Sequence, residues 1–411
     1  MSEDIIDLSI GASVKKIKAI PKTLADISQI AKWSIAYFSS VREQMLAPNP
    51  VKVAPTLTLS QIAKLCEIDK IKANNTINKN TLNLPSGSDA GGSNIRRFTL
   101  AESAEWYEAF MPHRARPKGL LAKLICIGNF KGGVTKTTTT LTLAQGLALR
   151  GRKVLVVDLD PQGSLSTLMG MSINPPVPQE ATIMPFIYGD EEDLSYAPQP
   201  SYWHGIDLIP ACGLVAHTEF EIPSQLAHDQ TFEFWNVLNK GIAPLRDKYD
   251  VILLDTPPAL SFLTINALMA SDAIVIPVPP NGLDYASSVQ FLSLFADFNK
   301  SFLKNVPSLK DKKYDFVNVL LTKVENQKQA TTVVRDWIIG TYKDLVLPAE
   351  ISLSSGASTS AAQFKTAYDF STYSGVNKVY QRTRDECEQF ASIIDDQLLD
   401  AWLNDGAKDG D

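Results

Sequence analysis

The sequence predicts an α/β fold, a mostly parallel sheet with helices on both faces, preceded by a smaller helical module. Three observations carry this. From residue 121 onward, apolar runs of strand length alternate with helical stretches, the pattern of a parallel sheet buried between helices. The first run ends in "KGGVTKTTTT" (131–140), a loop of glycine, lysine and hydroxyl residues suited to phosphate. Upstream, "APNPVKVAP" (47–55) is a proline-rich linker. The 411 residues thus divide into an N-terminal helix with a possible dimerisation role (1–50), a DNA-binding module (51–118) and a nucleotide domain (119–411).

The first element is a helix over 22–46, capped by Thr23. It places Leu24, Ile27, Ile30, Ala31, Ile35, Phe38, Val41 and Met45 at helical spacing, as a face for a second copy or for the next domain. In the following segment Ser60 caps a short helix carrying Ile62, Ala63, Leu65 and Cys66; Glu67 to Asp69 turn the chain, and a second helix begins at Lys70. That helix offers Lys70, Lys72, Asn75 and Lys79. Lysines suit phosphates and asparagine can bond adenine edges. The glycine-rich "PSGSDAGGSN" (85–94), followed by Arg96 and Arg97, reads as a wing whose arginines grip backbone or minor groove. Helix-turn-helix, wing and "RRFTLAE" together resemble the DNA-binding domain of MerR-type regulators. Charge agrees: residues 1–120 hold 16 Lys+Arg against 11 Asp+Glu, and the remainder 23 against 34.

In the third region "LAKLICIGNF" (121–130) is a buried strand, "TTTTLTLAQGLALRG" (137–151) a helix closed by Gly151, and "KVLVVDLD" (153–160) the next strand. "YDVILLDTPP", "ASDAIVIPVPP" and "YDFVNVLLTKV" are further strands. The ligand crevice of such a sheet lies at the carboxyl ends of its strands, where three motifs fall. Lys136 can neutralise phosphate charge, with the backbone amides of 132–137 (Gly132, Gly133, Val134, Thr135, Lys136, Thr137) as anion donors. Thr137 is placed for Mg²⁺ and Thr138 for the α-phosphate. Asp158 and Asp160, two apart, share a face if their strand continues. One then sits beside the metal and the other near an attacking water. Asp255 ends "VILLD" and can hold a magnesium-bound water. The loop nevertheless misses the G-x-x-x-x-G-K-[ST] template, because Phe130 and Thr135 stand where glycines are required.

"KGGVTKTTTT", "VLVVDLDPQGSLS" and "YDVILLDTPP" resemble the deviant Walker A, A′ and B motifs of the ParA/MinD ATPases, and the DLDPQGS form is most similar to ParA partition proteins. The resemblance is strong over about 121–290. With the N-terminal helix and winged module, it extends to the large plasmid ParA form, whose members repress their own operon. It implies a P-loop NTPase that binds ATP and Mg²⁺, and a nucleotide-sandwich homodimer in which Lys131 reaches the partner's phosphates. It also implies that Asp160 orients the hydrolytic water and that Asp158 and Asp255 support magnesium. Implied partners are a ParB-like centromere-binding protein, operator DNA and non-specific nucleoid DNA, the last through basic residues for which Lys378, Arg382 and Arg384 are the candidates. Thr135 departs from the commoner KGGxGK form of the loop.

Other functions are less well supported by the residues. The stretch "TKVE" (322–325) ends in glutamate where guanine recognition uses aspartate, so ATP is expected. The C-terminal "DDQLLDAWLNDGAKDGD" is acidic and unsuited to anionic lipid, so no membrane partner is expected. Cys66, Cys126, Cys212 and Cys387 form no C-x-x-C pair, which speaks against a cluster reductase. An acidic start without an apolar signal points to a cytoplasmic, nucleoid-associated protein. The alternative is a transcriptional repressor whose nucleotide domain only senses nucleotide.

Overall fold

The computed structural model describes residues 19–46, 51–80, 82–89, 95–171, 176–325, 327–353, 365–370 and 378–408. Helix α1 (Leu24–Leu46) opens with Thr23 accepting the Asp26 N–H at 3.1 Å. Leu24, Ile27, Ile30, Trp33, Ile35 and Tyr37 on it are exposed.

The next unit joins a three-stranded antiparallel sheet in the order β1-β3-β2 (β1 Leu57–Thr58, β2 Ser88–Asp89, β3 Arg96–Phe98) to helices α2 (Leu59–Leu65), α3 (Lys70–Lys79) and α4 (Leu100–Phe110). Thr58, not Ser60, caps α2, in a reciprocal box with Gln61. Pairing of β1 with β3 extends Thr58 into the cap conformation, and Ser60 falls inside the helix. Asp69 caps α3 by accepting the Lys72 N–H, and Asn80 ends it in the left-handed conformation. Buried Trp106 holds the unit together, edge-on to Phe98 and donating to the Pro85 carbonyl at 2.9 Å.

The third unit is an eight-stranded sheet in the order β11-β10-β9-β4-β8-β5-β7-β6. Its strands are β4 (Lys123–Ile127), β5 (Val154–Asp158), β6 (Gln199–Pro200), β7 (Ile206–Ile209), β8 (Val251–Asp255), β9 (Ala273–Val278), β10 (Phe316–Val324) and β11 (Val346–Ser352). Every pairing is parallel except the β6–β7 edge. Alternation divides each strand between two cores. Ile125 and Ile127 face helix α5 (Lys136–Leu149), short α6 (Ser164–Leu168), C-terminal α13 (Lys378–Lys408) and the N-terminal module. Leu124 and Cys126 face α7 (Met184–Tyr188), α9 (Val237–Ile242), α10 (Phe262–Ala270), α11 (Gly282–Asn305) and α12 (Gln329–Tyr342), with α8 (Thr218–His228) packed on α7 and α10.

Helices α5 and α13 approach so closely that a Cβ at Gly146 would lie 2.4 Å from the Ala391 Cβ. The N-terminal module joins the same core, and Arg114 fixes it by ion pairs to Asp395 (2.7 Å) and Asp396 (2.6 Å) on α13. The crevice lies at the carboxyl end of β4, between β8 and β9, where chain order reverses across the sheet.

Candidate active site and DNA-binding face

The loop leaving β4 is held from below before it meets any ligand. Buried Asn129 donates to the Pro277 carbonyl at 3.0 Å and accepts the Lys131 N–H at 3.1 Å. Gly133 takes φ +77° and Thr135 φ +74°, after which Lys136 begins α5. The Lys136 ammonium bends back to the Lys131 carbonyl at 3.0 Å. Burial lowers its pKa, against the opposing charges of Asp255 and Asp160. Lys323, from the end of β10, donates to the Gly133 carbonyl at 2.7 Å and closes the loop from the other side.

A cleft of about 570 Å³ opens above this loop, with Gly132, Gly133, Lys136, Thr137, Thr138 and Asp160 on its walls. Asp160 stands in a turn after β5, and one of its oxygens accepts the Gln162 N–H at 2.9 Å. Asp255 lies beneath, fully buried. One oxygen accepts the Thr140 hydroxyl at 3.0 Å, the Thr137 hydroxyl is near enough to favour the charged carboxylate, and Oδ2 has no hydrogen-bond partner. An orphaned carboxylate oxygen beside a threonine hydroxyl at the foot of a phosphate loop fits a hard divalent cation or its water.

Strand β5 ends at Asp158, so Asp158 and Asp160 share no strand face as the sequence reading supposed, and Asp158 is fully buried behind the cleft. Its oxygens accept the Asp160 N–H (3.2 Å), the Ser166 N–H (2.9 Å) and the Ser166 hydroxyl (2.7 Å). It ties the Asp160 turn to α6. Asp158 lies opposite Asp255 in the β5–β8 register. Burial raises both carboxyls above the ordinary range; the Asp158 charge raises Asp255 further, and the Asp160 charge raises Asp158.

Lys131 is absent from the walls of its own cleft and ion-pairs with Asp284 in the first turn of α11. A second cavity of about 380 Å³ adjoins the cleft through Thr135, Thr138, Leu168 and Lys323, and extends past Thr322, Ile351 and Leu353 to α13. Sequence reading missed Lys323 and the β11 residues, because neither belongs to a contiguous motif. Glu325, the last residue of "TKVE", pairs with Lys328 at 2.7 Å.

A family model described as an AAA domain matches residues 122–308. A protein of Sinorhizobium fredii provisionally named replication protein A is 26% identical over 87% of this chain and 90% of its own. Protein SopA of Escherichia coli is 34% identical over 56% of this chain and 58% of SopA. The sporulation initiation inhibitor Soj of Bacillus subtilis is 35% identical over 38% of this chain and 58% of Soj. The chain therefore matches little more than half the length of the latter two. Over its nucleotide domain the chain is similar to the ParA family of P-loop proteins. A solved structure called Partition Protein has the same fold, with TM-score 0.61 at 18% identity over 91% of this chain and 97% of that one.

The candidate DNA-contacting residues divide by exposure. On α3, Lys70, Lys72, Asn75 and Lys79 are exposed while Ala73 and Thr76 are buried, which leaves a polar face outward. On the wing Arg96 is exposed. Arg97, on the middle strand, is 6% exposed, so it does not offer DNA the exposed cation that the sequence reading expected. On α13 the side chain of Lys378 lies outside the described residues. Arg382 pairs with Glu386 at 2.9 Å, and Arg384 stacks over Tyr368 with 5.5 Å to the ring centroid. Both arginines thus make contacts within their own chain, while the Arg382 side chain stays exposed. No helix of the described residues is long and apolar enough to cross a membrane.

Proposed function

We propose that this chain is a partition ATPase that hydrolyses ATP to ADP and phosphate with Mg²⁺. It binds DNA non-specifically as an ATP-dependent homodimer, is stimulated by a ParB-like partner, and represses its operon through residues 51–118. The observation that carries the reading is a single cleft that joins Lys136, Thr137 and Asp160 over the orphaned oxygen of Asp255. Thr137 and Asp255 would hold magnesium, which neutralises phosphate charge when bound. Lys136 binds and orients phosphate oxygens, and Asp160 accepts a proton from the attacking water and aims it. Lys131, turned from its own cleft, is free to serve the phosphates of a second copy once it leaves Asp284. The adjoining cavity has the size and the largely apolar lining for a base, and the Glu325–Lys328 pair removes the residue that would select guanine. The ATP complex of Cyanothece McdA, a neighbour of the same fold at TM-score 0.51 and 20% identity, agrees with that choice.

Exposed Leu24, Ile27, Ile30 and Trp33 support a role for α1 in pairing two copies, and the α3 face supports operator recognition. The deciding experiment is phosphate release from ATP and GTP with and without Mg²⁺, alongside sedimentation in each nucleotide. ATP-selective, Mg²⁺-dependent release with a dimer in ATP is expected. Binding without release under all conditions, including added DNA and ParB-like protein, would leave a nucleotide-sensing repressor.

A further inference from the structure

Lys52, in the linker ahead of the DNA-binding module, is buried in the nucleotide domain. Its side chain is 6% exposed, and its ammonium reaches Asp369 at 2.9 Å, the Leu168 carbonyl at 2.8 Å and the face of Tyr202 at 4.5 Å from the ring centroid. Burial of a lysine is costly unless it is fully paired, and an apolar side chain would fill the same space at lower cost. Two helices that border the cleft meet at this cation.

On one side stands Leu168, the last residue of α6. Two residues earlier, Ser166 gives its N–H and hydroxyl to Asp158, which in turn accepts the Asp160 N–H. A helix of five residues transmits a shift at its end to its start, and Thr167 and Leu168 themselves line the cleft. On the other side stands Asp369, which accepts the Tyr202 hydroxyl at 2.6 Å. Tyr202 and Thr366 both bond to Gln145, on α5. Helix α5 begins at Lys136. Arg42, from α1, adds a second contact by donating to the Gly170 carbonyl just beyond α6.

We infer that Lys52 is a positioning residue for hydrolysis, clamping α6 to α5 so that Asp160 is held at a fixed place above the phosphate loop. The inference rests on the ATPase reading above. It assigns a part in turnover to a residue far upstream of the phosphate loop, and it makes the linker between α1 and the DNA-binding module an element of the catalytic geometry.

The test uses the full chain with Lys52→Met, Lys52→Arg and Asp369→Asn. Lys52→Met should lower turnover on the order of tenfold to a hundredfold, as a misplaced catalytic group does, with affinity for a fluorescent ATP analogue nearly unchanged. Lys52→Arg should restore most of the loss, and Asp369→Asn should show a smaller loss of the same kind. Amide hydrogen exchange gives a readout independent of activity. Exchange at 160–168 should be faster in Lys52→Met than in wild type, both without nucleotide, while the β4 and β8 amides stay protected. If Lys52→Met does not fold, Asp369→Asn carries the test. Wild-type turnover in a folded variant with unchanged exchange would overturn the inference. Equal losses of turnover and nucleotide affinity would also overturn it, by showing the clamp to be structural only. A wild-type chain without turnover would overturn the ATPase reading and the catalytic half of this inference together, and exchange would still decide whether the clamp exists.

Discussion

The phosphate cleft and the face proposed to bind DNA place their functional groups by opposite means. In the cleft, position follows from the backbone. Asp158 and Asp255 end neighbouring strands in register, Lys136 starts the helix that follows β4, and the loop between hangs from Asn129. On the DNA-binding face, position follows from exposure. Helix α3 rests on Ala73, Thr76 and Ile77 and turns its lysines and asparagines outward, while on β3 one residue decides whether an arginine meets solvent or is buried. Contiguous motifs therefore predict the first kind of site well and the second kind only where neighbours are known.

The largest effects should fall in the cleft and leave the module untouched. Lys136→Ala removes a buried cation from the loop and is expected to weaken ATP binding roughly 10²-fold, about the ~3 kcal/mol of a charge-assisted contact. Operator binding without nucleotide should be unchanged. Titration with a fluorescent ATP analogue and an operator shift assay on the same preparation measure both. Asp160→Ala should lower turnover by roughly 10²–10⁴-fold, the range for a lost general base, while the variant still sediments as a dimer with ATP. A monomer in that experiment would move Asp160 from water to the dimer contact.

The module should respond less strongly and more unevenly, and the two wing arginines sharpen the contrast. Arg96→Ala is expected to reduce the salt dependence of operator binding by about one unit of log–log slope and leave folding intact. Arg97→Ala should lower stability by roughly 1–3 kcal/mol, the usual range for a disturbed core, with DNA affinity lost only in proportion to unfolding. Asn75→Ala on α3 should weaken the operator by about 1–3 kcal/mol and arbitrary DNA hardly at all, if it reads a base edge. Equal weakening on both DNAs would reduce α3 to a phosphate contact.

Much of this was legible in the residues themselves. The five strands β4, β5, β8, β9 and β10 lie on the apolar runs, because a parallel strand covered on both faces must be apolar throughout. Strands β6, β7 and β11 were not, since they are short or mixed in character: β11 alternates exposed Pro348 with buried Leu347 and Ala349. In the cleft, Lys136, Thr137, Asp160 and Asp255 were found because each follows a recognisable strand. That Ser166, eight residues on, folds back onto the Asp158 oxygens could not be read from the sequence. The same holds for the contacts of Arg382 and Arg384 with Glu386 and Tyr368, which form only once α13 is in place.

The smallest expected effect tests how far backbone alone governs the cleft. Thr135 is a β-branched residue at φ +74°, in the left-handed region that costs such residues roughly 1–2 kcal/mol. Glycine there would relieve the strain, less the roughly 0.5–1 kcal/mol by which it loosens the unfolded chain. Thr135→Gly should therefore raise the melting temperature of the nucleotide-free protein by only about 1–3 °C. Its consequence for binding is the sharper measurement. The Thr135 hydroxyl turns to the Val134 carbonyl, and its side chain stands where the cleft meets the adjoining cavity. If the loop works through its amides alone, ATP affinity should stay within about twofold in the glycine variant, because the amides keep their directions. A larger fall, with stability gained, would mean that the threonine side chain itself contacts nucleotide, and that the backbone rule drawn from Lys136 and Asp255 stops at this one position.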